Sequence, residues 1–204
     1  EAGRSLLTST ELLGERFSAS IDDVGADALV LASLPSSAEV VAADDGLSSS
    51  LPRERLAQVY SSFMIHHAEY LQIRLISRAN HGLEIIRFDR DADGLIRVQG
   101  GSLQEKGQFP YVFEPLAFSP GRLYTSPISV NHEYGAHAAQ GKPTLRVGTP
   151  VANAQGAVVG VVVIDVNLSN LLNRLQSDLP SDYQVYLANE WGDFLVHPDA
   201  AKTF

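Results

Sequence analysis

The chain has 204 residues, 45% hydrophobic and 19% charged, enough to bury the core of one large domain or two small ones. Its formal net charge of −9 excludes the basic face that nucleic acid requires and disfavours docking on anionic lipid. There is no cysteine, so disulfide frameworks, thiolate catalysis and Cys-ligated zinc are excluded.

The N-terminal stretch carries Leu6, Leu13, Phe17, Ile21, Val24, Ala28 and Leu31 at steps of three, four and seven. That spacing predicts one face of a long amphipathic helix, uninterrupted until Pro35. A Ser-rich loop is expected over Ala42 to Pro52. A second helix is expected over Arg53 to Glu69, with Leu56, Val59, Tyr60, Phe63 and Met64 on one side.

From Tyr70 the period changes to two. Leu71, Ile73 and Leu75 alternate with Gln72, Arg74 and Ile76, and Leu83 to Asp89 alternates again. Asp93-Gly94 then turns the chain into Leu95 to Val98, which predicts an antiparallel meander. An irregular insert with a short helix is expected over Gly101 to Pro120, carrying Tyr111, Phe113 and Phe118. Three further strands are expected at Leu123 to Asn131, Thr144 to Val151 and Val158 to Val166, the last apolar on both faces and therefore central. A helix over Leu168 to Gln176 follows. After a break at Asp178 to Asp182, Tyr183 to Ala188 and Asp193 to Val196 flank one more turn. The order predicts an α+β fold: a long N-terminal helix packed on an antiparallel sheet, with segregated helices and an irregular insert.

The longest apolar run, Ala157 to Ile164, is far shorter than the roughly 20 residues of a membrane helix. Because the sequence opens on Glu1 and lacks a signal peptide pattern, a fragment or processed form is expected, with any membrane anchor in segments outside it.

Most catalytic motifs fail on inspection. Asp89-Arg-Asp-Ala-Asp93-Gly94 opens like an EF-hand loop, but the position that needs a bidentate Glu is Gly100, so a solvated hairpin turn is expected instead. His132, Glu133 and His137 lie close in sequence, yet no i, i+4 histidine pair brackets a glutamate, and solvated loop histidines are the favoured reading. There is no nucleophile elbow and no phosphate loop. No catalytic residue, metal site or cofactor is therefore expected.

Arg74, Arg87 and Arg146 are more informative, because each sits in a β-rich, apolar neighbourhood. A guanidinium there needs a partner. Either each pairs with an internal acid such as Glu84, Glu133 or Asp165, or one reaches into a cavity and holds an anionic ligand bidentately.

Several short motifs occur in a specific order: Tyr70-Leu-Gln-Ile-Arg74 with Gly82-Leu-Glu-Ile-Ile-Arg87; Leu103-Gln-Glu-Lys106 with Tyr111; Tyr124-Thr-Ser-Pro-Ile-Ser-Val-Asn131; and Pro143-Thr-Leu-Arg146 with Gly156 to Ile164. In this order the chain resembles the periplasmic, PAS-like Cache sensor domains of bacterial histidine kinases, cyclases and chemoreceptors. The resemblance implies a membrane-distal sensor unit over 53–177, preceded by the long helix and loop of 1–52. It also implies that 178–204 is the opening hairpin of a second, membrane-proximal PAS-like unit. The implied location is the periplasmic or extracellular side of an inner-membrane receptor, with a histidine kinase favoured as output.

The resemblance further implies a pocket between sheet and insert. Its expected lining is Arg74, Arg87, Tyr111, Phe113, Tyr124, Ser126, Asn131 and Arg146, and its ligand a small anionic or amino-acid-like molecule. A homodimer through the N-terminal helix is expected as well. The alternatives are a ligand-free dimerisation or interaction module and, remotely, a metal-assisted hydrolase.

Overall fold

The helical and alternating patterns both fold as their periods require. The computed structural model describes residues 2–43, 51–130, 142–177, 179, 183–199 and 202. Its helices are α1 (Ala2–Ser33), α2 (Pro35–Ala42), α3 (Leu51–His66), α4 (Pro110–Leu116) and α5 (Leu168–Gln176). Its strands are β1 (Tyr70–Ser77), β2 (Glu84–Asp91), β3 (Gly94–Val98), β4 (Tyr124–Thr125), β5 (Ser129–Val130), β6 (Pro143–Ala152), β7 (Val158–Asn167), β8 (Leu187–Ala188) and β9 (Phe194–Val196).

Strands β1 to β7 form one antiparallel sheet in the order β3-β2-β1-β7-β6-β4, with β5 pairing further along β6. The doubly apolar β7 is central, as its composition requires. The α+β architecture with a long N-terminal helix is therefore the observed one. Four helices cover one face: α1 and α5 on β6 and β7, α2 on β7, β1 and β6, and α3 across β1 to β3. The short α4 covers the other face, on β4, β6 and β7.

The core on the helical side gathers Val24, Ala28 and Leu31 of α1, Leu56, Tyr60 and Met64 of α3, and Ile73, Leu75, Val162, Ile164 and Val166 of the sheet. Burying each such side chain stabilises the fold by about 1.5–3 kcal/mol. Helix α5 shows how locally the sequence writes its elements. The Asn167 side chain accepts from Ser169 N and Asn170 N, which caps the first turn, and Leu168, Leu171, Leu172 and Leu175 then bury one stripe.

Four local expectations need correction. Pro35 does not simply end a helix; it sits in the first turn of α2, which bends away from α1 by 59°. Proline fits that position because its missing N–H has no partner there anyway, and Ser37 Oγ ties the bend by donating to Leu31 O at 2.6 Å. Helix α3 starts at Leu51 and stops at His66, where Arg90 of β2 donates to the Met64 and His67 carbonyls and closes its C-terminus. The expected strand Leu123 to Asn131 is split into β4 and β5 around Pro127, which lacks a ladder donor. Asp89 belongs to β2 rather than to a turn; the turn is made by Asp91, whose Oδ1 accepts from Asp93 N and Gly94 N. The expected Ser-rich loop falls largely on 44–50, outside the described residues. No single helix among the described residues is long and apolar enough to cross a membrane.

Candidate functional site

Strand alternation puts the apolar side chains of β1 toward the helices and Gln72, Arg74 and Ile76 toward the α4 side. That second side is not a solvent face. Arg74 is 0% exposed and Gln72 is 1% exposed. Cross-strand register aligns a polar row there: Asp89 of β2, Gln72 of β1, Asp165 of β7 and Arg146 of β6. The next row begins with Arg87 and Arg74. Glu84 joins them through a β-bulge. Leu75 pairs with Ile86 and Ile76 with Glu84, so the extra residue Ile85 turns Glu84 to the same side as Arg87.

The result is a buried layer of three arginines and three acids, with the buried Lys106 beside it. Arg74 Nη2 donates to Asp165 Oδ1 at 2.5 Å, and its Nη1 lies 3.9 Å from Glu84 Oε1. Arg87 grips Asp89 through two bonds of 2.8 Å and reaches Glu84 at 3.3 Å. Arg146 Nε faces Asp165 Oδ2 at 3.3 Å, and its Nη1 donates to Ser129 Oγ at 3.2 Å. Glu84 Oε2 also accepts from Gln104 N, which anchors the insert. Burial pushes the Asp89 carboxyl above its ordinary range, against the pull of Arg87.

Aromatic rings close the layer from the α4 side. Arg74 and Arg146 lie over the Tyr111 ring at 4.8 and 5.0 Å from its centroid, and Tyr111 OH accepts from Arg74 Nη1. Phe109 stacks on Tyr111 at 5.3 Å, and Lys106 Nζ lies 5.3 Å from the Phe109 centroid. Beside them Tyr124 packs with Ile76, Val112, Val161 and Val163.

Of the residues expected at the site, Arg74, Arg87, Arg146 and Tyr111 converge in this layer, and Tyr124 borders it. Ser126 meets the β6 backbone: its Oγ accepts from Arg146 N and donates to Pro127 O. Phe113 is 48% exposed on the outer side of α4 and does not join them. Asn131, His132, Glu133 and His137 lie outside the described residues. Among the described residues no group of three His, Asp or Glu side chains is placed to hold a metal ion. Each arginine has an internal acid, with Asp165 and Glu84 among those the sequence offered. Sequence reading did not single out Gln72, Asp89, Phe109 or Lys106. The period-2 pattern held the signal for Gln72 and Asp89, both of which share a strand face with an arginine. A separate groove of about 750 Å³ lies where the α1–α2 bend meets Pro120 and the β6–β7 turn. Its lining is mainly apolar, with Glu39 as its charged residue.

No curated protein sequence matches. Similar folds occur in a domain of a sensory box/GGDEF family protein from Vibrio parahaemolyticus (TM-score 0.81, 18% identity, 98% of this chain and 73% of that one). The extracellular domain of the histidine kinase vpHK1S-Z8 is similar at TM-score 0.79 and 18% identity, over 100% of this chain and 72% of that one. The ligand-binding domain of the Pseudomonas aeruginosa amino acid chemoreceptor PctC, solved in complex with GABA, matches at TM-score 0.59 and 17% identity, over 100% and 78%. The family model for the bacterial histidine kinase sensor domain matches residues 36–204, most of the chain. With its long helix and its antiparallel sheet, and with that match over most of its length, the chain belongs to the bacterial histidine kinase sensor domain family.

Proposed function

We propose that this chain is the extracytoplasmic sensory part of a transmembrane receptor with a histidine kinase output, and that it binds a small, net-neutral polar solute at the layer between the sheet and α4. The observation that carries this reading is the pairing of the layer's three buried arginines with Glu84, Asp89 and Asp165. Because each of these arginines already has an internal acid, the set favours a zwitterion or an uncharged polar solute over a bare anion. This narrows the anionic or amino-acid-like expectation to its second half. The complex of the PctC domain with GABA, a zwitterion, supports the same class. Thermal unfolding of the chain against amino acids, amines and organic acids tests the reading. A rise of several degrees with a zwitterion is expected; no rise with any of the three classes overturns it.

Signalling runs through α1, which packs on β6 and β7 and receives the Tyr70 OH bond at Asp27. A solute that favours one arrangement of sheet and helix shifts the balance between two. Exposed Leu6, Leu7, Leu12 and Val30 on α1 support a homodimer through that helix, which light scattering on the purified chain tests. The β8–β9 pair forms its own two-stranded sheet, which supports reading 178–204 as the opening hairpin of a second PAS-like unit.

A further inference from the structure

Gln72 is fully buried, yet among the described residues neither its Oε1 nor its Nε2 has a hydrogen-bond partner. A primary amide offers two donors and an acceptor with two lone pairs, and leaving all of them unbonded in a dry interior is expensive. Its cross-strand neighbours do not serve it. Both Asp89 oxygens are taken by Arg87, and Asp165 Oδ1 is taken by Arg74. Asp165 Oδ2 faces Arg146 Nε at 3.3 Å outside hydrogen-bond geometry and is itself without a hydrogen bond. Directly opposed residues on adjacent strands stand about 5 Å apart at Cβ. Gln72 and Asp165 are such a pair. The donors and acceptors of an uncharged amide therefore stand beside a carboxylate oxygen that accepts no hydrogen bond among the described residues, in a layer whose arginines are already paired. A leucine would fill the same space without the penalty.

We propose that Gln72 is the specificity-determining residue of the solute site. It reads an uncharged amide or hydroxyl group, with Asp165 Oδ2 accepting from the same group. This rests on the solute-binding reading above and names the class of solute: a net-neutral molecule that carries an uncharged hydrogen-bonding substituent. The guest reaches Gln72 when the Tyr111 side of the layer opens. The bonds gained there are absent from the closed arrangement, which gives the solute the differential affinity that a switch requires.

The test compares the wild-type chain with Gln72→Leu by calorimetric titration and thermal unfolding. The probes are two pairs that differ only in the hydrogen-bonding group: L-glutamine against L-norleucine, and L-serine against L-2-aminobutyrate. The wild type is expected to bind the polar member of at least one pair about tenfold tighter, the worth of a well-made hydrogen bond. Gln72→Leu is expected to erase that preference and to melt no lower than wild type without solute. The proposal is overturned if Gln72→Leu melts several degrees lower, since the amide then has structural bonds. It is overturned as well if the variant keeps the preference, or if the wild type binds both members of each pair alike. That last outcome leaves solute binding standing, whereas a wild type that responds to no probe removes both.

Discussion

Arg74→Met is the most incisive test of the buried charge layer. The side chain is 0% exposed and bonds Asp165 at 2.5 Å, with Glu84 3.9 Å away and the Tyr111 ring beneath its guanidinium. Methionine nearly matches its length but removes one positive charge from a set of paired arginines and acids. Breaking a buried pair by deleting one partner costs about 3–5 kcal/mol, because the other charge stays buried. Arg146 still faces Asp165 and Arg87 still holds Glu84, so the lower end of that range applies. In a domain of this size each kcal/mol moves Tm by about 2–4 °C, so a fall of roughly 6–12 °C is expected. Arg74→Met/Asp165→Asn removes one charge of each sign and is expected to recover part of the loss, with a coupling energy of about 1–3 kcal/mol in a double-mutant cycle. The assay is urea denaturation followed by circular dichroism on the four proteins. Strictly additive single effects, or an Arg74→Met loss under about 1 kcal/mol, would refute the view that the layer is an electrostatic unit.

Other consequences follow from the same geometry. Asp27→Ala deprives the Tyr70 hydroxyl of its 2.5 Å acceptor and His67 of its α1 partner, and should cost about 1–3 kcal/mol in the same denaturation assay; an unchanged midpoint would show that α1 is not latched there. Burial, and then Asp27, raise the Tyr70 phenol well above its ordinary range, so the folded state holds that proton more tightly than the unfolded chain. Stability from this group is present below pH 10 and is lost as pH rises further, so Tyr70→Phe should flatten the alkaline limb of the stability profile; parallel profiles would contradict this. Gly160→Ala places a Cβ 2.6 Å from Ile76 O in the paired strand, and a loss of about 1–3 kcal/mol is expected, read as a lower denaturation midpoint.

The resemblance and the strand periods placed Arg74, Arg87 and Arg146 near one another, but they left open whether acids of the chain or a ligand would meet them. A period of two says only that Gln72 and Arg74 share a face; it does not say whether that face is wet. Here it is buried, with α4 and its flanking insert on that side. The partner of Arg87 was less legible still. Residues 84 and 87 would lie on opposite faces of a regular strand, and only the bulge at Ile85 brings them to one side. Phe113 illustrates the converse. An aromatic in the insert reads as a pocket wall, yet the helical turn of α4 sends Tyr111 inward and Phe113 outward.

By itself the sequence determined the local elements: the long α1, the meander, the central β7 and the Asn167-capped α5. Each follows from short-range spacing and chemistry that a few residues carry. The tertiary structure alone decided the electrostatics of the site. Charges are matched there across strands β1, β2, β6 and β7, through a register that no local pattern contains. The same pairing leaves the buried amide of Gln72 without a bond, and so marks the place where a solute would be read.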